Sequence, residues 1–234
     1  MNSETATSAP AESARWVRLA GDDTDATIDG FELFSARRAL ALLKENLGRE
    51  RLLELIASEI SRGDDFLREN VDASAGEELT GTTVLEAHGI TALQFGGWLS
   101  RAFARENVML AGHPEHYSIH AEPGSSVNIV ETLGDYVCSF YMREWDDSVV
   151  PTGAAAHASA KPNGRRSHML LADGTVVGTI SNAFAETDGG FRATLSVSLP
   201  AACGQGVINQ HLEHFAVEFR TWILRAATEL SDGS

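Results

Sequence analysis

The sequence predicts an α+β fold in which a curved antiparallel sheet wraps around one long C-terminal helix. Apolar residues recur at helical spacing before residue 112, alternate with polar ones between 117 and 199, and return to helical spacing from 207 to 230. Asp173-Gly174 and Asp188-Gly189 separate predicted strands and are typical of tight hairpin turns. Consecutive strands are therefore expected to pair antiparallel.

Composition and charge exclude several classes of protein. The chain has 234 residues, of which 43% are hydrophobic, which is enough to form one substantial core. Its 18 basic and 33 acidic residues give a net charge of −15, which repels nucleic-acid phosphates and anionic lipid headgroups. We therefore expect no nucleic-acid or membrane partner. No stretch approaches the roughly 20 apolar residues that cross a bilayer, and we expect a cytoplasmic protein.

The N-terminal part divides into a leader and a helical region. Residues 1–26 lack apolar periodicity and are expected to form a flexible leader. Residues 27–83 are expected to be helical, with breaks near Gly48 and Gly63, and to end in a polar linker over 72–83. We leave two roles open for these helices: contacts in a homodimer, or cover for one end of the sheet.

The remaining residues, 84–234, are predicted to form the main domain. A helix is expected within 90–106, followed by strands near 117–122, 127–133, 136–145, 168–172, 175–187 and 191–199. The final helix, 207–230, carries one apolar stripe made of Ile208, Leu212, Phe215, Phe219, Trp222 and Ala226. A curved sheet around such a helix is the helix-grip (Bet v 1-like) arrangement, which leaves a small-molecule pocket between the two.

One acidic residue falls on the apolar face of a predicted strand. Cys138, Phe140, Met142 and Glu144 share this face because side chains alternate along a strand. A buried carboxylate needs a proton, a cationic partner or a metal ion. The alternative is that the strand ends early and Glu144 reaches water. Glu131, near another strand end, is assigned to solvent and given no role.

The last helix carries a second candidate pair. His214 and Glu218 are four residues apart, so their side chains project from adjacent turns and can bind one ion. His211 lies one turn earlier and is a rival to His214. The alternative is a pair of solvent-exposed side chains.

Three histidines lie where the helical pattern gives way to the strands. Pro114 restricts His113 to an extended conformation, which fixes its imidazole in place. His116 and His120 are expected to share one face of the following strand. The alternative is a solvated strand face with one histidine in the preceding turn.

Together these segments resemble the 2,4-diacetylphloroglucinol hydrolase family, which includes phloretin hydrolase. The likeness covers roughly residues 90 to 225 and is carried by His113 in a His-Pro element, Glu144 on a strand, and His214 and Glu218 on the C-terminal helix. The resemblance implies that these four residues hold one zinc ion per chain in a helix-grip domain.

The same resemblance implies a function. It is the hydrolysis of the carbon–carbon bond between an acyl group and a phenolic, phloroglucinol-like ring, with a small aromatic ketone as substrate. His116, Tyr117 or His120 would supply the proton to the ring carbon, because they follow the first ligand directly. The competing hypothesis is a helix-grip carrier that binds a small molecule without chemistry.

Overall fold

The computed structural model describes residues 18–21, 23–24, 26–122, 126–144 and 164–232. The chain divides into two compact units, Met1–Leu43 and Lys44–Ser234. Most of the expected leader, residues 1–17, lies outside the described residues. Among the described helices, none is long and apolar enough to span a membrane.

Within the described residues, seven strands form one antiparallel sheet in the order β1-β7-β6-β5-β4-β3-β2. Their bounds are β1 Glu78–His88, β2 His116–Ala121, β3 Val127–Leu133, β4 Tyr136–Glu144, β5 Gly164–Leu170, β6 Val176–Thr187 and β7 Gly190–Pro200. From β2 to β7, strands that follow one another in the chain are neighbours in this sheet. The predicted antiparallel strands and their tight turns are confirmed for these residues.

Five helices accompany the sheet in the described part of the chain. They are α1 Ala26–Leu55, α2 Ala57–Ser74, α3 Ala92–Ala102, α4 Glu106–Leu110 and α5 Gly204–Asp232. The expected break occurs in α1 at Gly48, whose φ of 69° interrupts the helix. The expected break at Gly63 is wrong, because this glycine lies inside α2.

The long helix α5 packs against the sheet and forms the centre of the core. Its apolar stripe is buried as predicted, including Phe215, Phe219 and Trp222. Phe95 of α3 and Phe191 of β7 join the same core, with Phe95 stacked on Phe191 at a centroid separation of 5.4 Å. The sheet and α5 together give the α+β helix-grip fold that the sequence predicts.

The expected linker over 72–83 is wrong, because β1 begins at Glu78 and pairs with β7 along its whole length. A domain boundary after residue 83 would therefore cut a strand. The polar composition has a structural reason. Thr80 and Thr82 hydrogen-bond across the strands to serine hydroxyls of β7, and a side chain on Gly81 would clash with Ile208 of α5.

Gly63 marks the closest approach of α2 to β4. A Cβ added there would clash with the backbone carbonyl of Val137. We predict that Gly63→Ala lowers the free energy of unfolding by about 2 kcal/mol, because the helix must move off the strand. Gly96→Ala, in α3 with open space around it, is the matched control and should raise stability by about 1 kcal/mol. Urea unfolding of both variants measures the difference, and equal effects would contradict the packing argument.

Candidate metal centre

A cluster of histidines and glutamates lies where the start of β2, the end of β3 and the middle of α5 meet. His116 is opposite Glu131 in the register of β2 and β3, so the two side chains share one face of the sheet. His214 and Glu218 reach the same place from α5, where their spacing of four residues puts them on one side of the helix. We call His116, Glu131, His214 and Glu218 the His/Glu centre.

The side-chain atoms of the His/Glu centre converge closely. His116 Nε2 and His214 Nε2 are 2.9 Å apart. Glu131 Oε2 lies 3.4 Å from each of these two nitrogens. Glu218 Oε1 lies 3.5 Å from His116 Nε2. All four side chains are buried, and His116, Glu131 and His214 form a group whose donor atoms can hold one metal ion.

The ring of His116 is oriented by the backbone. Its Nδ1 lies 3.3 Å from the carbonyl oxygen of Met109, and since a carbonyl only accepts, Nδ1 donates. The neutral ring then presents the lone pair of Nε2 to the His/Glu centre. This is the usual arrangement of a metal-binding histidine, whose second nitrogen donates to a carbonyl or carboxylate.

Lys44 fixes the segment that precedes and starts β2. Its Nζ donates to the carbonyl oxygens of Pro114 and His116 and lies 5.4 Å from the centroid of the Tyr117 ring. Burial lowers the pKa of this lysine to about 8. Lys44 therefore holds the backbone of His116 through its carbonyl oxygen.

Burial controls the protonation of the His/Glu centre. It lowers the pKa of His116 and of His214 to about 3, so both rings are neutral at neutral pH. It raises the pKa of Glu218 well above its usual value, and the neighbouring Glu131 carboxylate raises it further. Two carboxyl groups beside two neutral rings are stable together only with a shared proton or a bound cation.

A second group of potential metal ligands lies beside the first and is less buried. His113, Glu115 and His214 bring their donor atoms together, and the ring of His113 stacks on that of His214 at 3.7 Å between centroids. His113 Nδ1 accepts a hydrogen bond from the backbone N–H of Glu115 at 3.1 Å. Since Nδ1 accepts, the neutral ring carries its proton on Nε2. His113 and Glu115 form the half-buried rim of the His/Glu centre.

The structure brings together three of the four predicted ligands: His113 stacks on His214, and Glu218 lies one turn beyond His214 in the same cluster. It does not bring Glu144 to them. Glu144 is exposed at the end of β4. It lies six residues beyond Cys138, the cross-strand partner of Glu131, which at about 3.3 Å per residue is roughly 20 Å away.

Glu131 takes the place that the sequence analysis gave to Glu144. It is only 4% exposed, so the assignment to solvent is wrong. The signal was present in the alternation of β3, where Glu131 shares a face with Ile129 and Leu133. Alternation places Glu131 on the inward face of β3 just as it places Glu144 on that of β4, and the position of Glu131 inside the sheet keeps it from water.

The three residues expected to supply a proton lie in different places. His116 belongs to the His/Glu centre itself. The hydroxyl of Tyr117 lies 3.3 Å from Thr132 Oγ1. Because consecutive side chains of a strand point to opposite faces, Thr132 and Tyr117 lie on the face of the sheet away from Glu131. His120 is half-exposed, and its Nδ1 lies 3.6 Å from Glu106 Oε2. Tyr117 and His120 are therefore not brought to the centre.

His211, the predicted rival of His214, is also buried and lies on the other side of Glu131. Its Nδ1 is 3.8 Å from Glu131 Oε1, whereas His214 and His116 face Oε2. Burial lowers the pKa of His211 as well. His214 is thus the histidine of α5 whose Nε2 lies beside His116 Nε2, and His211 lies at the other oxygen of the Glu131 carboxylate, Oε1.

Comparisons with known proteins give structural similarity without a family. The sequence matches no protein-family model and no curated protein. The Zhui aromatase/cyclase from Streptomyces sp. R1128 aligns with 66% of this chain and 96% of its own, at 8% identity and a TM-score of 0.47. The major latex-like protein 151 of Panax ginseng aligns with 63% and 98%, at 12% identity and a TM-score of 0.39.

A third similar structure is the di-domain ARO/CYC StfQ from the steffimycin biosynthetic pathway. It aligns with 93% of this chain and 64% of its own, at 13% identity and a TM-score of 0.39. Identities and scores of this size assign no function.

The raised pKa of Glu218 predicts a pH-dependent stability of the metal-free protein. Because the folded-state pKa lies above the unfolded one, the ionised carboxyl costs stability as the pH rises above the usual glutamate value. Glu218→Gln should therefore stabilise the chelator-treated protein by about 1–2 kcal/mol at pH 7 and have little effect at pH 4. Urea unfolding in EDTA at both pH values measures this. Glu213→Gln, exposed on the same helix, is the control.

Proposed function

We propose that this chain binds one divalent cation, zinc, at the His/Glu centre and hydrolyses the carbon–carbon bond between an acyl group and a phenolic ring. The observation that supports the cation is the convergence of two neutral histidines and two glutamates in a buried place. Among the described residues, neither Glu131 nor Glu218 forms an ion pair with a lysine or arginine. A dication would neutralise both carboxylates and leave no net charge in the core.

The donor set fits zinc. Imidazole nitrogens and carboxylate oxygens are its common protein ligands together with thiolates. His116, Glu131 and His214 would supply three of them and leave a coordination position for water or a carbonyl oxygen, with Glu218 beside it. His116 already has the second hydrogen bond that such ligands make, to Met109.

The proposed reaction adds water across one carbon–carbon bond. The acyl carbon gains the hydroxyl and leaves as a carboxylic acid, while the ring carbon gains the proton. When bound, a divalent cation supplies Lewis-acid polarisation of a carbonyl and a water of lowered pKa. The phenolic hydroxyls of the ring make it a better leaving group, because they stabilise negative charge as it develops on the ring carbon.

The chain's own residues would hold the reactants and supply the proton. Lys44 and Met109 fix His116, so the centre is preorganised before a ligand arrives. His113, at the half-buried rim, carries a proton on Nε2 in its neutral form and is the residue best placed to donate it to the ring carbon. In this proposal His113 is a proton donor rather than a metal ligand.

The competing function is a non-catalytic carrier of a small molecule. The degree of burial favours it, because His116 is 0% exposed and His214 only 2%, so these rings do not face the solvent from which a substrate would reach them. An incubation with 2′,4′,6′-trihydroxyacetophenone separates the two functions. The hydrolase produces phloroglucinol and acetate, whereas the carrier returns the compound unchanged.

Metal content tests the centre directly. We predict about one zinc ion per chain in the purified protein and a loss of affinity of at least about 100-fold in Glu131→Gln and in His116→Ala. Glu144→Gln is the matched control, because Glu144 is a strand glutamate outside the centre. Metal analysis after dialysis against a weak chelator measures the difference. A loss of zinc in Glu144→Gln with retention in Glu131→Gln would reverse the assignment.

The same variants test the activity. Glu131→Gln should abolish formation of phloroglucinol from the trihydroxy ketone while the circular dichroism spectrum stays native. His113→Phe should retain zinc and lose most of the turnover, since it removes the proton donor but no proposed ligand. Full turnover in His113→Phe would remove this residue from the mechanism.

A further inference from the structure

His211 is a buried polar side chain that the proposed mechanism leaves without a role. Its side chain is 0% exposed, and neither ring nitrogen has a hydrogen-bond partner among the described residues. A neutral imidazole has one donor and one acceptor, and buried groups of this kind are nearly always satisfied. The ring therefore requires a partner beyond the described side chains and backbone.

The position of Glu131 indicates which nitrogen carries the proton. Nδ1 lies 3.8 Å from Glu131 Oε1, too far for a hydrogen bond but close enough for the carboxylate to favour a proton there. The other histidines near the ring are His113 in the segment before β2, His116 in β2 and His214 in α5. The preferred tautomer leaves Nε2 as a buried acceptor without a donor.

The ring contacts of His211 are aromatic. Phe215 meets it edge to face at 4.5 Å between centroids, and Phe219 follows at 6.0 Å from Phe215. His214 lies parallel to it at 5.5 Å. A hydrogen-bond acceptor beside phenylalanine rings matches a ligand that is itself an aromatic ring with a hydroxyl group.

We infer that His211 Nε2 accepts a hydrogen bond from a hydroxyl group of an aromatic ligand. This makes His211 a specificity-determining residue that distinguishes phenols from apolar rings of the same shape. The inference rests on the proposed function, because it names the group that recognises the phenolic ring. It adds a polar contact beside Glu131 Oε1, whereas His116 and His214 lie at Glu131 Oε2.

Binding of two symmetric probes tests the inference. Phloroglucinol carries three hydroxyl groups, and 1,3,5-trimethylbenzene carries methyl groups of similar size at the same positions, so the position of the contact does not matter. Kd is measured for both in the zinc-loaded full-length protein by tryptophan fluorescence. We expect His211→Phe to reduce the preference for phloroglucinol about tenfold, since one hydrogen bond is lost. His211→Gln keeps an acceptor and should restore part of the preference.

The controls separate this contact from a structural role. A variant that only loosens the fold weakens both probes together and leaves their ratio unchanged. His120→Phe, half-exposed and outside the centre, should leave the ratio at the wild-type value. An unchanged ratio in His211→Phe, with both probes and zinc still bound, would overturn the inference and leave the proposed function standing. If the zinc-loaded wild type binds neither probe, the inference and small-molecule binding both fail.

Discussion

The constraint on which the site depends is the burial of two carboxyl groups with neutral imidazoles as their nearest partners. Glu131 and Glu218 both lie within 3.5 Å of His116 Nε2, where water cannot stabilise them. Burial also keeps the histidines neutral, so they cannot act as counter-ions. An uncompensated charge in such a place is strongly destabilising, and a dication removes the problem because it attracts both carboxylates and both ring lone pairs.

The rest of the fold can be understood as the support of this arrangement. The antiparallel register places Glu131 opposite His116, and α5 crosses the sheet so that His214 reaches both. Lys44 holds the carbonyls of the segment around His116, and Met109 fixes its ring. The centre therefore rests on backbone contacts as well as side chains, which is what a preorganised site requires.

The candidate site was only partly predictable, and the errors have physical reasons. His214 and Glu218 follow from helical spacing, which is local. The choice between Glu131 and Glu144 depends on where each strand enters and leaves the sheet, and alternation by itself fits both residues. Glu144 lies at the exposed end of β4, whereas Glu131 lies opposite Cys138 inside it. The strand β1 was not predicted because a glycine among threonines is typical of a linker, and only the packing of α5 on Gly81 and the pairing of β1 with β7 show that it is a strand.

By itself the sequence determined the periodic features: the strands from β2 to β7, the tight turns between them, the long amphipathic α5 and hence the helix-grip class. These depend on side-chain alternation and spacing, which are local properties. Only the tertiary structure decided which ionisable side chains form the His/Glu centre, that Glu131 rather than Glu144 belongs to it, and that His211 lies beside Glu131 Oε1. The reason is that burial and distance between segments are set by strand register and helix packing, which no local pattern encodes.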